Sequence, residues 1–413
     1  MTIKVYYFES LIMNIRNYYS VNTAFMKKSS IFGVITLSLF TNLSFGQTLA
    51  KGYTVVTTAV PFLSLTPDSK AAAMGDAGAA SAPDANALYW NTAKLAYSEN
   101  KFGSSFSYAP WLRDIVQDMG IMTANAYYKV SDKQAIGAGI TYFDQGDIQF
   151  TNAYGANLDK FHSKEFAVTL GISQKLSSDF SMGLNMKFIN SNLVGNTIIN
   201  GQAGKPGRTG AFDLGFYYNK TRPTDRNSDK PKKTDIDYGV VLQNIGGKVN
   251  YGFGQYFIPA NFKIGTKISH SPDELNTFTL LLDFNKLLVP TPKENTPISD
   301  KSIFSTMFTS WTDAPNGIKE ELSEVMTSIG VEYSYADLIS LRTGYFYESP
   351  DKGGRQYFTT GFGITLKDIY KLDMAYLIPT NSGNPLANTW RISLNIGLSS
   401  KKSAETGRDL DEE

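Results

Sequence analysis

The stretch Trp390-Arg391-Ile392-Ser393-Leu394-Asn395-Ile396-Gly397-Leu398 decides the fold. Every second residue is large and apolar and those between, Arg391, Ser393, Asn395 and Gly397, are small or polar, so an extended backbone puts one set on each face. Alternation alone also describes a half-buried strand of a soluble sandwich. Length separates the two, because soluble strands average about five or six residues, whereas a tilted strand needs about 9 to 11 to cross a bilayer. An unbroken run of this length reads as a strand with lipid on one side and water on the other.

Moving back along the chain, the same event recurs about 14 times between residues 101 and 398. Phe180, Met182, Leu184, Met186 and Phe188 alternate with Ser181, Gly183, Asn185 and Lys187, and Phe262, Ile264, Thr266 and Ile268 alternate with Asn261, Lys263, Gly265 and Lys267. Strands are expected near 101–109, 121–130, 134–143, 164–175, 179–190, 210–219, 235–243, 260–270, 276–285, 325–335, 338–348, 355–366, 369–379 and 388–398. Connections after even-numbered strands are mostly tight (131–133, 176–178, 271–275, 336–337, 367–368), and several after odd-numbered strands are long (144–163, 191–209, 244–259, 286–324). Outer-membrane barrels show this asymmetry, with short periplasmic turns and long extracellular loops. One connection departs from it: Lys220 to Thr234 is basic, rich in Pro and Asp, and reads either as a tolerated insertion or as a periplasmic docking site. The fold class is all-β, a 14-stranded antiparallel transmembrane β-barrel.

Composition agrees with that reading. The 413 residues include 24 Tyr, 26 Phe and 35 Gly, with a net charge of +1, which argues against nucleic acid as a partner. Tyr and Phe suit the aromatic girdles where lipid meets water. Mean hydropathy is only −0.21 because half of each strand faces water. The absence of cysteine excludes disulfides, thiolate metal sites and a lipid-modified amino terminus. The two histidines, His162 and His270, read as surface residues. The glycine pairs Gly137/Gly139, Gly252/Gly254 and Gly361/Gly363 lack the third glycine and following helix of a dinucleotide fingerprint. No catalytic, metal or cofactor-binding residues are expected, and the chain reads as a non-enzyme.

The one long apolar run, Ile31 to Phe45, follows Lys27 and Lys28 and ends in Ser44-Phe45-Gly46-Gln47. It has the layout of a secretory signal peptide over residues 26–46, with 1–25 an upstream extension of the reading frame. The expected organisation continues with a lumen-filling segment at 47–100, the barrel at 101–399 and a polar periplasmic tail at 400–413. Inward positions carry both signs, among them Lys187, Asp213, Lys263, Lys267, Glu332, Arg342, Lys371, Asp373 and Arg391. A selective open pore would show one dominant sign, so a plugged lumen is expected.

The longest loop carries its own pattern. Ile303, Phe304, Met307, Phe308 and Trp311 fall at helical spacing, and Asn316 to Met326 reads as a second helix with Glu320, Glu321 and Glu324 at polar positions. An exposed apolar stripe needs a cover, either the barrel mouth, as a lid, or another protein. Under the second reading Trp111, Phe257, Phe304, Met307, Phe308 and Trp311 are exposed anchors in extracellular loops.

Ahead of the first strand, Ala71 to Ala96 reads AAAMGDAGAASAPDANALYWNTAKLA, too rich in Ala and Gly for a core of its own. A 14-stranded barrel has a lumen to fill. This segment resembles the amino-terminal hatch of the FadL-like outer-membrane family, with Met74-Gly75-Asp76-Ala77-Gly78, Asp84-Ala85-Asn86-Ala87 and Trp90-Asn91-Thr92-Ala93-Lys94-Leu95 standing where the family has its Gly-Asp-Ala and Asn-Pro-Ala-Gly-Leu patterns; Thr92 replaces the proline. The resemblance implies a hatch held through Met74, Gly75, Asp76, Asn86, Trp90 and Asn91. Within that family the segment is most similar to the PorV branch, which serves type IX protein secretion in Bacteroidetes. The implied partners are a SprA-type translocon, the carboxy-terminal signal domains of cargo, a PorU-type attachment protein and outer-membrane lipid or lipopolysaccharide. The other implication of the wider family is transport of hydrophobic small molecules through a kinked strand, for which Asp144-Gln145-Gly146-Asp147 is the candidate.

Overall fold

Fourteen antiparallel strands close into one barrel, each paired with its neighbours in sequence and the first with the last. They are β1 (Phe102–Pro110), β2 (Gly120–Lys129), β3 (Gln134–Thr151), β4 (Asn157–Lys175), β5 (Phe180–Asn192), β6 (Gly207–Pro223) and β7 (Lys233–Gly246). The wall continues through β8 (Asn261–Ser271), β9 (Asn276–Leu287), β10 (Met326–Tyr335), β11 (Ile339–Tyr347), β12 (Gln356–Leu366), β13 (Tyr370–Pro379) and β14 (Trp390–Leu398). The computed structural model describes residues 55–398 apart from 114, 152–156, 194, 196–197, 200–201, 224–232, 293–300 and 382–383. The expected upstream extension, signal peptide and polar tail lie outside the described residues.

Closure is made by β1 on β14, from Phe102 opposite Leu398 to Tyr108 opposite Ile392. Closing the sheet removes every free edge, which is the condition for placing strands in a medium that cannot hydrogen-bond. The alternation read from β14 is realised: Ile392, Leu394 and Leu398 are exposed on the outer face, and Arg391 and Ser393 are buried inside.

Strand ends fall within a few residues of expectation except at one hairpin. β3 and β4 run on through most of what reads as a loop, out to Thr151 and back from Asn157. The polar run Asp144-Gln145-Gly146-Asp147 forms a bulge, with a register shift between Asp144 and Asp147 and Gly146 at φ 73°, and pairing resumes beyond it. β2 and β3 stay paired without interruption from Lys129 opposite Ala135 to Gly120 opposite Asp144. The bulge therefore lies past the end of that seam and opens no gap in it. The basic 220–234 connection is also shorter than it reads, because β6 extends to Pro223 and β7 begins at Lys233.

The segment before β1 threads the barrel from one end to the other. Val60, Phe62 and Leu63 pack with Ala109, Ile121, Phe143, Ile189 and Ile258 at the extracellular end. At the periplasmic end Tyr97 donates to the Ser178 carbonyl at 3.2 Å, and Lys129 to the Ser98 carbonyl at 2.8 Å. Two single-turn helices, α1 (Ser69–Ala72) and α2 (Ala87–Trp90), and the 3₁₀ turn Thr92–Tyr97 lie between.

Candidate functional site

A filler with so few large side chains can pack only if the wall comes to meet it, and glycines make that possible. Gly330 of β10 and Gly344 of β11 are cross-strand partners, and a Cβ on Gly330 would fall 2.5 Å from that of Met74. Gly75 has φ 67°, and a side chain there would meet the Tyr345 carbonyl oxygen at 2.6 Å, so glycine satisfies both the backbone angle and the space.

Polar groups hold the hatch in register. The Gly75 N–H donates to Thr359 Oγ1 at 2.9 Å, and Thr359 returns a hydrogen bond to the Ala73 carbonyl at 3.0 Å. Asp76 accepts from the Tyr357 hydroxyl at 2.6 Å and lies 3.9 Å from Arg391. Asn86 accepts from Asn125 at 3.1 Å, and Asn91 donates to the Phe216 carbonyl at 2.9 Å and the Ala79 carbonyl at 3.1 Å. Trp90 does not reach the wall with its indole N–H, which donates instead to Asp68 within the hatch at 2.7 Å. All six residues that the resemblance implied, Met74 included, sit inside the lumen.

Sequence reading missed the most concentrated anchor. Asp283, buried on the inner face of β9, accepts from the backbone N–H groups of both Gly78 and Ala79 at 2.7 and 2.8 Å. Lys94, also buried, clamps the same turn by donating to the Gly78 carbonyl at 2.7 Å and Ser81 Oγ at 2.8 Å. The alternation Leu281, Asp283, Asn285 places that carboxylate inside and could have found it. Around the hatch the mixed charges pair with one another: Lys187 with Asp213 at 2.8 Å, Arg342 with Asp373 at 2.7 Å and with Glu332 at 2.5 Å, and Lys267 with Asp237. Buried charges that are paired and hydrogen-bonded hold geometry well, because removing one partner strands the other in a low dielectric.

The extracellular loop after β9 holds α3 (Ile303–Thr309) and α4 (Ile318–Ser323). The expected single stripe divides into two. Ile303 and Met307 turn inward and pack against the cluster of Ile245, Phe257, Ala260, Leu288 and Val289, as do Leu242 and Phe262 from the wall. Phe304 and Phe308, about 100° further round the helix, point to solvent and are 67 % and 77 % exposed. Trp311 stands edge-on to Phe262 with ring centroids 5.5 Å apart and is exposed. Two of the other expected anchors are not free. Phe257 is buried, with Lys248 Nζ 4.5 Å from its ring centroid, and Trp111 is half-buried against the cluster around Phe62. The loop bases converge at the barrel mouth, where burying an aromatic ring contributes about 1.5–3 kcal/mol over leaving it in water.

α4 is shorter than expected and has its amphipathicity reversed. Ile318 and Leu322 face out, 80 % and 68 % exposed, while Glu320, Glu321 and Glu324 are buried. The acids face two lysines. Lys352, from the next extracellular loop, lies 2.6 Å from Glu320 and 2.9 Å from Glu324, and Lys286, at the end of β9, lies 2.5 Å from Glu324 and 3.0 Å from Glu321. Burial pushes the Glu324 carboxyl up, but hydrogen bonds from Lys286, Thr291 and Lys352 outweigh it and hold the group below its ordinary value. Burial likewise raises Glu320, and hydrogen bonds from Lys352 and Asn316 reverse the shift. Lys352 moves the other way: burial lowers it, and the two glutamates raise it above its ordinary value by more. The outcome is a polar clasp that fixes the cap and turns its apolar residues outward.

A closed barrel with an apolar exterior, a lumen filled by its own amino-terminal segment and a structured extracellular cap defines a plugged outer-membrane β-barrel. The sequence profile described as "Type IX secretion system protein PorV" matches residues 48–294, more than half of the chain. The chain belongs to the PorV family, whose members are outer-membrane components of the type IX secretion system. No curated protein matches it significantly. Among solved structures it is similar to the Pseudomonas putida toluene transporter TodX, at 11 % identity over 79 % of this chain and 95 % of that one, with a TM-score of 0.42. It is also similar to the CymD monoaromatic hydrocarbon channel, at 11 % identity over 81 % and 98 % with a TM-score of 0.43, and to a Pseudomonas aeruginosa FadL homologue, at 11 % over 83 % and 99 % with 0.40. Likenesses at this level carry neither substrate nor mechanism to this chain.

Proposed function

We propose that this protein serves type IX secretion in a Bacteroidetes outer membrane as a receptor rather than a conduit. It binds the carboxy-terminal signal domain of cargo, associates with a SprA-type translocon and passes cargo to a PorU-type attachment protein. The observation that carries this reading is the reversed cap over a filled lumen. Phe304, Phe308, Trp311, Ile318 and Leu322 are exposed on one extracellular loop, held outward by the buried clasp of Glu320, Glu321 and Glu324 with Lys286 and Lys352. Monomers seldom leave such large apolar groups uncovered without a partner.

The competing use of such a barrel, transport of a hydrophobic compound through its wall, needs a lateral opening. The β2–β3 seam beside the bulge is paired throughout, so among the described residues that seam offers no such opening.

The test is the triple substitution Phe304→Ser, Phe308→Ser and Trp311→Ser. Each aromatic anchor is worth about 2 kcal/mol or more, so three together weaken a complex about 10⁴-fold. The variant should fold and stay in the outer membrane yet lose cargo or translocon on pull-down, with secretion falling in parallel. Retention of every partner with normal secretion would reduce the cap to a lid.

A further inference from the structure

The cap covers part of the outer wall. Along β8 and β9 the alternation turns Lys263 and Asp283 to the lumen and turns Ile264 and Phe284, which are exposed cross-strand partners, to lipid. The next pair toward the cell exterior on that same outer face is Phe262 with Lys286, and Leu242 of β7 stands beside Phe262 in the row. A bare wall would leave this row as open as the one below it. Instead Lys286 is 3 % exposed and Phe262 is half-buried. The cover comes from the cap. Trp311 lies edge-on to Phe262, its ring centroid is 5.9 Å from Lys286 Nζ, and Glu321 and Glu324 reach the same ammonium at 3.0 and 2.5 Å. The carboxyl end of α4 is therefore seated against the outer side of the rim.

The row beneath α4 and the lipid-facing row of Ile264 and Phe284 are two residues apart along each strand, about 7 Å. A helix with its side chains is about 10 Å across. One seated on Lys286 is wide enough to reach the level where the wall meets lipid. The sorting of side chains around α4 fits such a place. Glu320, Glu321 and Glu324 turn to the barrel. Ile318 and Leu322, one turn apart, form an apolar edge that nothing in the described residues covers. Lys319 and Ser323, about 100° further round, form a separate polar edge, with Lys319 exposed. A helix in water turns its apolar residues to the protein, whereas a helix lying on a membrane turns one edge to the acyl chains and another to water.

We propose that α4 is an interfacial helix of the outer leaflet. Ile318 and Leu322 enter the boundary between headgroups and acyl chains, continuous with the lipid-facing row of Ile264 and Phe284, and Lys319 stays in water. The occupant of this edge is lipid. The inference goes beyond the receptor reading and does not rest on it: two of the five exposed cap residues go to lipid, and Phe304, Phe308 and Trp311 are left to a protein partner. The clasp then holds the cap from the barrel side and the leaflet steadies it from the other.

The chain has no cysteine, so one introduced thiol carries the only spin label. Power-saturation electron paramagnetic resonance compares collisions with oxygen, which concentrates among acyl chains, and with a nickel chelate, which stays in water. The full chain is reconstituted without partners in phosphatidylcholine vesicles and labelled at Ile318→Cys, Leu322→Cys or Lys319→Cys. Ile264→Cys on the lipid face and Lys160→Cys, an exposed position on the β3–β4 hairpin, set the two limits. Folding of each variant is checked by gel mobility before and after heating. The labels of Ile318→Cys and Leu322→Cys should favour oxygen as that of Ile264→Cys does, and the label of Lys319→Cys should favour the chelate as that of Lys160→Cys does. Preference for the chelate at either Ile318→Cys or Leu322→Cys overturns the proposal and returns the apolar edge to a protein partner. Preference for oxygen at Lys319→Cys overturns the division of the helix into two edges. The receptor reading fails separately, because its triple aromatic variant leaves Ile318 and Leu322 in place and the vesicles hold no partner.

Discussion

Asp283→Ala should loosen the hatch without unfolding the wall. In the wild type one carboxylate oxygen accepts two backbone N–H groups 204 and 205 residues away, at 2.8 and 2.7 Å. A hydrogen bond to a charged acceptor contributes about 1.5–3 kcal/mol, and removing the acceptor leaves both N–H groups buried and unsatisfied. Against this, the wild type bears the cost of burying the carboxylate, which the alanine escapes. The balance is a loss of about 2–4 kcal/mol in hatch docking, and because each 1.4 kcal/mol is tenfold, the undocked population should rise about 30- to 1,000-fold. The strands themselves keep their pairing, since Asp283 contributes its backbone to β9 whatever its side chain is. Two measurements follow: hydrogen exchange at the Gly78 and Ala79 amides should accelerate by that factor, and planar-bilayer recordings should show openings that the wild type lacks. Unchanged exchange at both amides, in a barrel shown to be folded by its gel mobility before and after heating, would refute the reasoning.

The lipid face and the cap supply two more predictions. Leu394→Arg places a guanidinium on the outer face of β14 and should lower barrel stability by about 2–4 kcal/mol at mid-membrane depth, read as a reduced yield of refolding into lipid vesicles; a yield equal to wild type would overturn the facing of that strand. The clasp on α4 should fail at both ends of the pH scale. Glu320 and Glu324 titrate below their ordinary 4.5, so their contribution is present above that value and is lost as pH falls through the lowered values. Lys352 titrates above 10.5, so its contribution is present below that value and is lost as pH rises through the raised one. Limited proteolysis of the 288–325 loop should therefore accelerate in acid with an acid-tolerant protease, and Lys352→Met should bring that acceleration to neutral pH. Cleavage that does not change with pH or with the lysine would show that the apolar contacts of Ile303 and Met307 hold the cap alone.

The wall was legible in the sequence because its two periodic signals agree. The dyad alternation of β14 or β5 states which side faces lipid, and the asymmetry of turn lengths states which end faces the cell exterior. The hairpin of β3 and β4 was not, because past Asp144 both faces meet water and the chain no longer has to alternate. The hatch could be read from composition and resemblance, but its anchors only in part: Asp76, Asn86 and Asn91 lie in the small-residue segment itself, whereas Asp283 comes from a strand 204 and 205 residues beyond the amides it holds. Helical spacing predicted α3 but could not choose its buried side, since Ile303 with Met307 and Phe304 with Phe308 are equally apolar pairs. In α4 the usual rule fails outright. Its acids are buried because Lys286 and Lys352, from two other parts of the chain, arrive to meet them.

The central claim is that the barrel does its work with the hatch in place, and locking the hatch tests it most directly. Ser69 of α1 and Ser393 of β14 are both buried, with their hydroxyl oxygens 2.9 Å apart, close enough for Ser69→Cys and Ser393→Cys to form a disulfide with small adjustments. The chain has no other cysteine to compete. The measurement is export of a type IX reporter by cells that carry only this variant, with the bridge verified as formed. The account predicts export equal to that of the serine protein, in oxidised and reduced cells alike. Export that stops when the bridge forms and returns on reduction would contradict it, by showing that the hatch must leave the wall for the protein to function.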